Sequence, residues 1–77
     1  MNVREIVTQR FTTVMKLPEN QIKFDASLAA EYGMDSIRAL KLISQVEVEF
    51  DIEIERDEAR SINSLNDVIK LVERKIA

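Results

Sequence analysis

Apolar residues recur at intervals of three and four positions in three stretches of the chain, which is the spacing of one face of an α-helix. This spacing predicts a first helix over Val3–Met15 and a last helix over Leu65–Ile76. The middle helix starts at the Gly33–Ser36 segment and ends near Phe50 or Asp51. The inward-facing stripes are Val3, Ile6, Val7, Phe11 and Val14 in the first helix, Leu40, Leu42, Ile43, Val46 and Phe50 in the second, and Leu65, Val68, Ile69, Val72 and Ile76 in the last. The candidate N-caps are Asn2 for the first helix, Asp35 for the second, and Asn63 or Ser64 for the last.

The segments between these stretches are more polar. The connection from Lys16 to Asp35 is long for a compact bundle, and we expect it to hold a single turn over Ala26–Ala30 capped by Asp25. We expect a short helix over Arg56–Ser61, which needs tertiary support to be stable. The whole pattern predicts an all-α fold, a small four-helix bundle with three main helices, one short helix and a long first loop, in one domain over residues 1–77.

The composition excludes several functional classes. The 77 residues include no histidine and no cysteine, so the usual nucleophile–base pairs, zinc sites and disulfides cannot be built. We therefore expect no catalytic residue, no metal site and no enzyme. The formal net charge of −3 argues against nucleic-acid binding, and no apolar run approaches the length of a membrane span. We expect a cytoplasmic monomer that is not inserted in a membrane.

One short string places a hydroxyl at a helix start. Gly33 ends the long connection and adopts a positive φ at little cost. Asp35 is suited to cap the second helix, which sets Ser36 in its first turn with an exposed side chain. The unpaired N–H groups and partial positive charge of a helix start accommodate an anion, such as a phosphodiester on this serine.

The string Asp35-Ser36-Ile37 resembles the D-S-L phosphopantetheine attachment motif of the acyl carrier proteins, with isoleucine in the third place. The similarity extends to Asp25–Leu28 in the long connection, to the acidic stretch Val46–Ile54 and to the short helix at Asp57–Ile62. It covers nearly the whole chain without visible gaps. A three-residue string by itself is weak, whereas the same string at the head of a helix in a chain of this layout is specific.

The resemblance implies a function that needs no catalytic group in the chain. A separate phosphopantetheinyl transferase would use coenzyme A and magnesium to attach phosphopantetheine to Ser36, with Asp35 and Ile37 as the flanking residues of the motif. The arm would carry acyl groups as thioesters to enzymes of fatty-acid, polyketide or related lipid biosynthesis. The thiol would belong to the cofactor, which suits a chain without cysteine.

Two further sets of residues are candidates around this motif. The candidates for docking acyl-loading and acyl-using enzymes are Ile37, Arg38, Lys41, Glu47, Val48 and Glu49. The candidates for an acyl pocket are Leu28, Val46, Ala59, Ile62, Val68 and Leu71, although spacing alone makes most of these core residues. The family's second helix is often acidic. Arg38 and Lys41 depart from that pattern and predict poorer use by enzymes that select acidic carriers.

Two other functions stay open at this point. A free-standing peptidyl (aminoacyl) carrier of nonribosomal synthesis shares the arm and the fold, and only the groups loaded on it would separate it from an acyl carrier. A cofactor-free helical interaction module would use the apolar residues of the second helix and would not accept the arm.

Overall fold

Helices make up the regular structure of residues 2–77, the part of the chain that the computed structural model describes. The α-helices are α1 Val3–Met15, α2 Leu28–Tyr32, α3 Ser36–Phe50, α4 Arg56–Arg60 and α5 Leu65–Ile76, and a one-turn 3-10 helix lies at Glu19–Gln21. The predicted all-α bundle with three main helices is confirmed. The difference lies in the long connection, where α2 is a second short helix, so the bundle has five α-helices rather than four.

Side-chain caps determine where the outer helices start. The side chain of Asn2 accepts the backbone N–H of Glu5 at 3.0 Å and caps α1 as predicted. Of the two candidates at the head of α5, Ser64 is the cap, because its hydroxyl accepts the backbone N–H of Asp67 at 3.2 Å. The Asp67 carboxylate reciprocates by accepting the N–H of Ser64 at 3.0 Å, which completes a capping box.

The core lies where α1, α3 and α5 face one another. Its central side chains are apolar and have no exposed surface, so their removal from water is the main force that holds the three helices together. The ring of Phe11 meets the ring of Tyr32 edge-on, with the centroids 5.3 Å apart, which joins α2 to this core. The fully buried core residues are Val7, Phe11, Val46, Leu65 and Val72.

Two residues expected in the core lie outside it. Leu40 is 63% exposed and Ile76 is 43% exposed. At about 100° per residue, Leu40 lies about 120° around α3 from Val46, so both cannot face α1 and α5. Ile76 lies one turn past Val72 at the end of α5, where the helix leaves the core. Both placements in the inward-facing stripes were therefore wrong.

The long connection is tied to the start of α5 by backbone hydrogen bonds. The N–H of Asn66 donates to the carbonyl of Phe24 at 3.0 Å. In the other direction, the N–H of Leu28, four residues after Phe24, donates to the carbonyl of Asn63 at 2.8 Å. These two bonds hold α2 against the junction between α4 and α5.

The cap of the helical turn in this connection differs from the expectation. Asp25 accepts a hydrogen bond from the side-chain amide of Asn66 and is therefore occupied by α5. Ser27 caps α2 instead, because its hydroxyl accepts the backbone N–H of Ala30 at 3.2 Å. The prediction that Asp25 caps a turn over Ala26–Ala30 was wrong, since it considered only local partners.

Candidate functional site

Ser36 is the first residue of α3, and its side chain is exposed. The chain reaches it through a sharp reversal at the end of α2. Gly33 has a φ of 63°, as predicted, and its N–H donates to the carbonyl of Ala29 at 3.0 Å. The N–H of Met34 donates to the carbonyl of Leu28 at 3.2 Å, so the last carbonyls of α2 are satisfied. The reversal presents the head of α3 to solvent.

Asp35 caps α3 and sets the charge beside Ser36. Its carboxylate accepts the backbone N–H of Arg38 at 2.9 Å, and the Arg38 guanidinium lies 3.6 Å from its other oxygen. The backbone hydrogen bond, more than the charge of Arg38, holds the pKa of Asp35 below its usual value. A cation in the first turn opposes the helix dipole, and this ion pair offsets that effect for Arg38.

An apolar cleft of about 230 Å³ opens beside Ser36, between α2, α3 and the segment that contains α4. Four of the six pocket candidates line it, and they come from three separate parts of the chain. The other two are buried but lie outside its lining. The lining candidates are Leu28, Ala59, Ile62 and Val68, and the remaining two are Val46 and Leu71.

Further residues line the cleft although the resemblance assigns them no role. Ala39, Leu42 and Ile43 follow Asp35 by four, seven and eight positions, so they lie on the side of α3 that carries the cap. That spacing is a sequence signal for this wall. Asn63 also lines the cleft. Its position there could not be predicted from neighbouring residues in the sequence, because it depends on how the α4–α5 junction packs.

The residues at the head of α3 fit a covalent arm that bears a phosphate. Ser36 offers an exposed hydroxyl, and the helix start accommodates an anion. Apart from its chain neighbours, no residue comes within 4 Å of the point that a Cβ on Gly33 would occupy, so the turn before the helix start faces open space.

A comparison with known families decides the assignment. The sequence profile described as "phosphopantetheine attachment site" matches residues 5–72, which include the head of α3 and the whole lining of the cleft. The chain belongs to this family. The family membership predicted from the string Asp35-Ser36-Ile37 is therefore confirmed.

Similar proteins are acyl carriers. The chain is 41% identical over 64 residues to an acyl carrier protein homolog of Mycoplasmopsis pulmonis, covering 83% of this chain and 86% of that protein. It is 31% identical over 72 residues to an acyl carrier protein of Sulfurovum sp. (strain NBC37-1), covering 94% and 91%. A solved structure from Mycobacterium tuberculosis, of a chain provisionally assigned as an acyl carrier protein, is similar with a TM-score of 0.88. It is 26% identical, and the match covers 95% of this chain and 97% of that chain.

Membership in the carrier family establishes the cofactor class. Phosphopantetheine is the group that its members bear, and they carry groups rather than catalyse reactions. Within residues 2–77 no three acidic side chains come together in a way that would hold a metal ion. Over the same residues, none of the helices has the length and hydropathy that a membrane span requires.

Three large apolar side chains are exposed along α3, and a cation lies among them. Ile37 is 68% exposed, Leu40 is 63% exposed and Val48 is 83% exposed. Lys41 shares a shallow depression with Ile37 and Leu40. We term the surface formed by Ile37, Leu40, Lys41 and Val48 the outer face of α3. It combines apolar area with a positive charge.

The other docking candidates make contacts within the protein. The Glu47 carboxylate accepts the backbone N–H of Ile54 at 2.8 Å and holds the loop that follows α3. Glu49 pairs with Arg10 of α1 at 3.1 Å. Arg38 pairs with Asp35 and lies on the side of α3 that faces the long connection. The docking candidates that the outer face brings together are Ile37, Lys41 and Val48.

Proposed function

We propose that this chain carries acyl groups as thioesters on phosphopantetheine attached to Ser36, and delivers them to enzymes of fatty-acid, polyketide or related lipid biosynthesis. The observation that carries the proposal is the placement of Ser36. It is the exposed first residue of a capped helix, beside an apolar cleft. The family match and the acyl carrier proteins among the relatives support the same function.

The part of the chain in this function is to present the hydroxyl and hold its surroundings. A serine hydroxyl at its ordinary pKa is a poor nucleophile, and the chain has no histidine that could serve as its base. The base and the metal therefore come from a separate phosphopantetheinyl transferase. Asp35 holds the helix start in place, and the free N–H groups there accommodate the phosphodiester. When attached, the arm supplies the thiol that bears the acyl group.

The lining of the cleft supports an aliphatic cargo. Moving a methylene from water into apolar surroundings is favourable by about 0.8 kcal/mol, so a flexible acyl group gains by entering the cleft. An aminoacyl group carries an ammonium, which is costly to bury beside apolar side chains such as Leu28, Ala59 and Val68, and Asp35 is the one carboxylate in the lining. The lining therefore favours an acyl carrier over an aminoacyl carrier.

The outer face of α3 supports docking by the partner enzymes. It lies on the helix that begins with Ser36, so an enzyme bound there also reaches the arm. Exposed apolar side chains of this size on a small protein are typical of interaction sites. Lys41 has no ion-pair partner within residues 2–77, which makes its charge available to an acidic group on the enzyme.

Intact-mass analysis tests the attachment directly. The protein is incubated with coenzyme A, magnesium and a broad-specificity phosphopantetheinyl transferase. We expect one arm on the wild type, none on Ser36→Ala, and one on Ser44→Ala, a matched control because Ser44 is another exposed serine on α3. A wild type without an arm, or an arm on Ser36→Ala, would show that the proposal is wrong. Acyl and aminoacyl groups offered to the loaded protein then separate the two kinds of carrier.

A further inference from the structure

α4 forms part of the wall of the cleft, yet it is held weakly. It is five residues long, and none of them is buried, unlike the other α-helices of residues 2–77. A helix this short is not stable without tertiary support. Ala59 and the following Ile62 reach the cleft, and both are only half-buried. The apolar contacts of this wall are therefore few.

A polar contact compensates for the small apolar area. The Oε1 atom of Glu58 on α4 accepts the backbone N–H of Glu55 at 2.9 Å and lies 2.9 Å from the Nζ atom of Lys75 on α5. The two charged side chains are only 27% and 22% exposed, which makes this the most sheltered ion pair within residues 2–77. The Lys75 hydrogen bond holds the pKa of Glu58 below its usual value, which favours the charged carboxylate. We term the contact between Glu58 and Lys75 the α4 latch.

The volume of the cleft limits the cargo that fits beneath this wall. An apolar cavity of roughly 150 Å³ accepts the six carbons of benzene, so by proportion 230 Å³ has room for about nine carbons. Leu42 and Val68 are each 2% exposed and form the inner wall of the cleft. A longer acyl chain must either stay partly in water or displace a wall, and α4 is the wall with the weakest attachment.

We infer that the α4 latch sets the longest acyl chain that the cleft shelters. With the latch closed, the cleft covers apolar chains of up to about nine carbons, in proportion to its volume. The inference rests on the proposed function of Ser36 and names its cargo class as short to medium-length saturated acyl groups. Glu58 and Lys75 are positioning residues, since they act on the cargo through α4.

Protection of the thioester against hydroxylamine measures how well the cleft shelters each chain. The transferase moves the acylated phosphopantetheine of acyl-coenzyme A to the Ser36 hydroxyl and releases adenosine 3′,5′-bisphosphate, so the thioester stays intact. Saturated chains of roughly 4 to 14 carbons bracket the limit expected from the cleft volume, and the cleavage rate is followed by mass. Each methylene that enters apolar surroundings changes the equilibrium by up to about fourfold. We expect cleavage to slow with chain length up to about nine carbons and then to level off.

Two variants open the latch by different means. Glu58→Gln keeps an acceptor for the capping hydrogen bond but loses the charge, and Lys75→Met keeps the aliphatic stem. Breaking an ion pair of this kind changes an equilibrium by about two- to fivefold, so we expect the protection of a chain of about 12 carbons to rise by that factor. Lys70→Met is the matched control, because Lys70 is exposed on α5 and forms no ion pair within residues 2–77. It should leave the length limit unchanged.

The outcomes separate the inference from the proposed function. A wild type that accepts no arm overturns the proposed function itself. Equal cleavage rates at all chain lengths, with Ser36 loaded, overturn the sheltering of cargo but not the attachment. Protection that keeps rising past 12 or so carbons in the wild type overturns the volume limit. Far-UV circular dichroism shows which latch variants fold. Arg74 lies 4.0 Å from Oε2 of Glu58 and stays in place in Lys75→Met, so an unchanged limit in folded Glu58→Gln is the result that overturns the role of the latch. Backbone chemical shifts of Ala59 give a second readout, and we expect them to respond to long chains only in the latch variants.

Discussion

Asp67 holds the rim of the cleft to α5, and its replacement by alanine removes that contact. Its Oδ2 atom accepts the backbone N–H of Asn63 at 2.9 Å and that of Ser64 at 3.0 Å. The carbonyl of Asn63 in turn accepts the N–H of Leu28 at 2.8 Å. One carboxylate therefore supports the junction that joins α2, α4 and α5.

The expected loss follows from these two hydrogen bonds. A typical hydrogen bond contributes about 1 kcal/mol net, and partial exposure keeps each of these two bonds near that value, so we expect Asp67→Ala to cost about 2 kcal/mol. For a domain of this size, 1 kcal/mol lowers the melting temperature by about 4–8 °C, which gives a fall of about 8–16 °C. Asp67→Asn keeps an acceptor and loses the charge, so we expect about half of that effect.

The pH dependence of this contribution has a definite sign. The N–H of Asn63, followed by that of Ser64, holds the pKa of Asp67 below its ordinary value of 3.8. The folded state therefore binds fewer protons than the unfolded state as this group titrates. Its contribution is complete above the unfolded pKa and is lost as the pH falls through the lowered folded pKa. We expect the stability gap between wild type and Asp67→Asn to be constant near neutral pH and to shrink below about pH 4.

Thermal and urea unfolding, followed by circular dichroism between neutral and acidic pH, check both expectations. Asp57→Ala is the matched control, because the Asp57 side chain is 96% exposed and lies 4.0 Å from its nearest cation, Arg60. We expect that control to shift the melting temperature by no more than about 2 °C. A melting temperature for Asp67→Ala within that range of the control would refute the reasoning. A gap that stays undiminished in acid would refute the ionic part of it.

Two other substitutions test the surroundings of Ser36. Gly33→Ala adds a Cβ that meets no atom within 4 Å, so we expect only the cost of a left-handed backbone, about 1 kcal/mol by thermal unfolding, with arm attachment retained. Gly33→Asn should cost less, and equal losses for the two would contradict the conformational argument. Lys41→Glu should speed attachment by a transferase with a basic carrier-binding surface by up to about tenfold at low ionic strength, and less in salt. Lys70→Glu makes the same charge change on α5, and an equal gain there would rule out a specific role for the outer face.

Features that depend on neighbours in the sequence were predictable from the sequence. The bounds of α1 and α5 follow from apolar spacing and from caps that bond only three residues ahead, such as Asn2. The head of α3 follows in the same way, because Gly33 and Asp35 act on the residues beside them. The family assignment rests on the same local string. The sequence by itself thus determined the three main helices, the position of Ser36 at a helix start and the class of group that the family bears.

The walls and contacts of the site were decided by the tertiary structure. Asp25 is a good cap by composition, yet its partner is Asn66, 41 positions away. From the sequence, Glu49 is expected to be a free surface charge, whereas in the structure it forms an ion pair with Arg10 of α1. The same holds for the α4 latch. It joins α4 to α5, and nothing in the sequence of either helix indicates that the two are in contact. Such contacts depend on which helix faces cross in the folded bundle, and that crossing is set by the burial of side chains far apart in the chain.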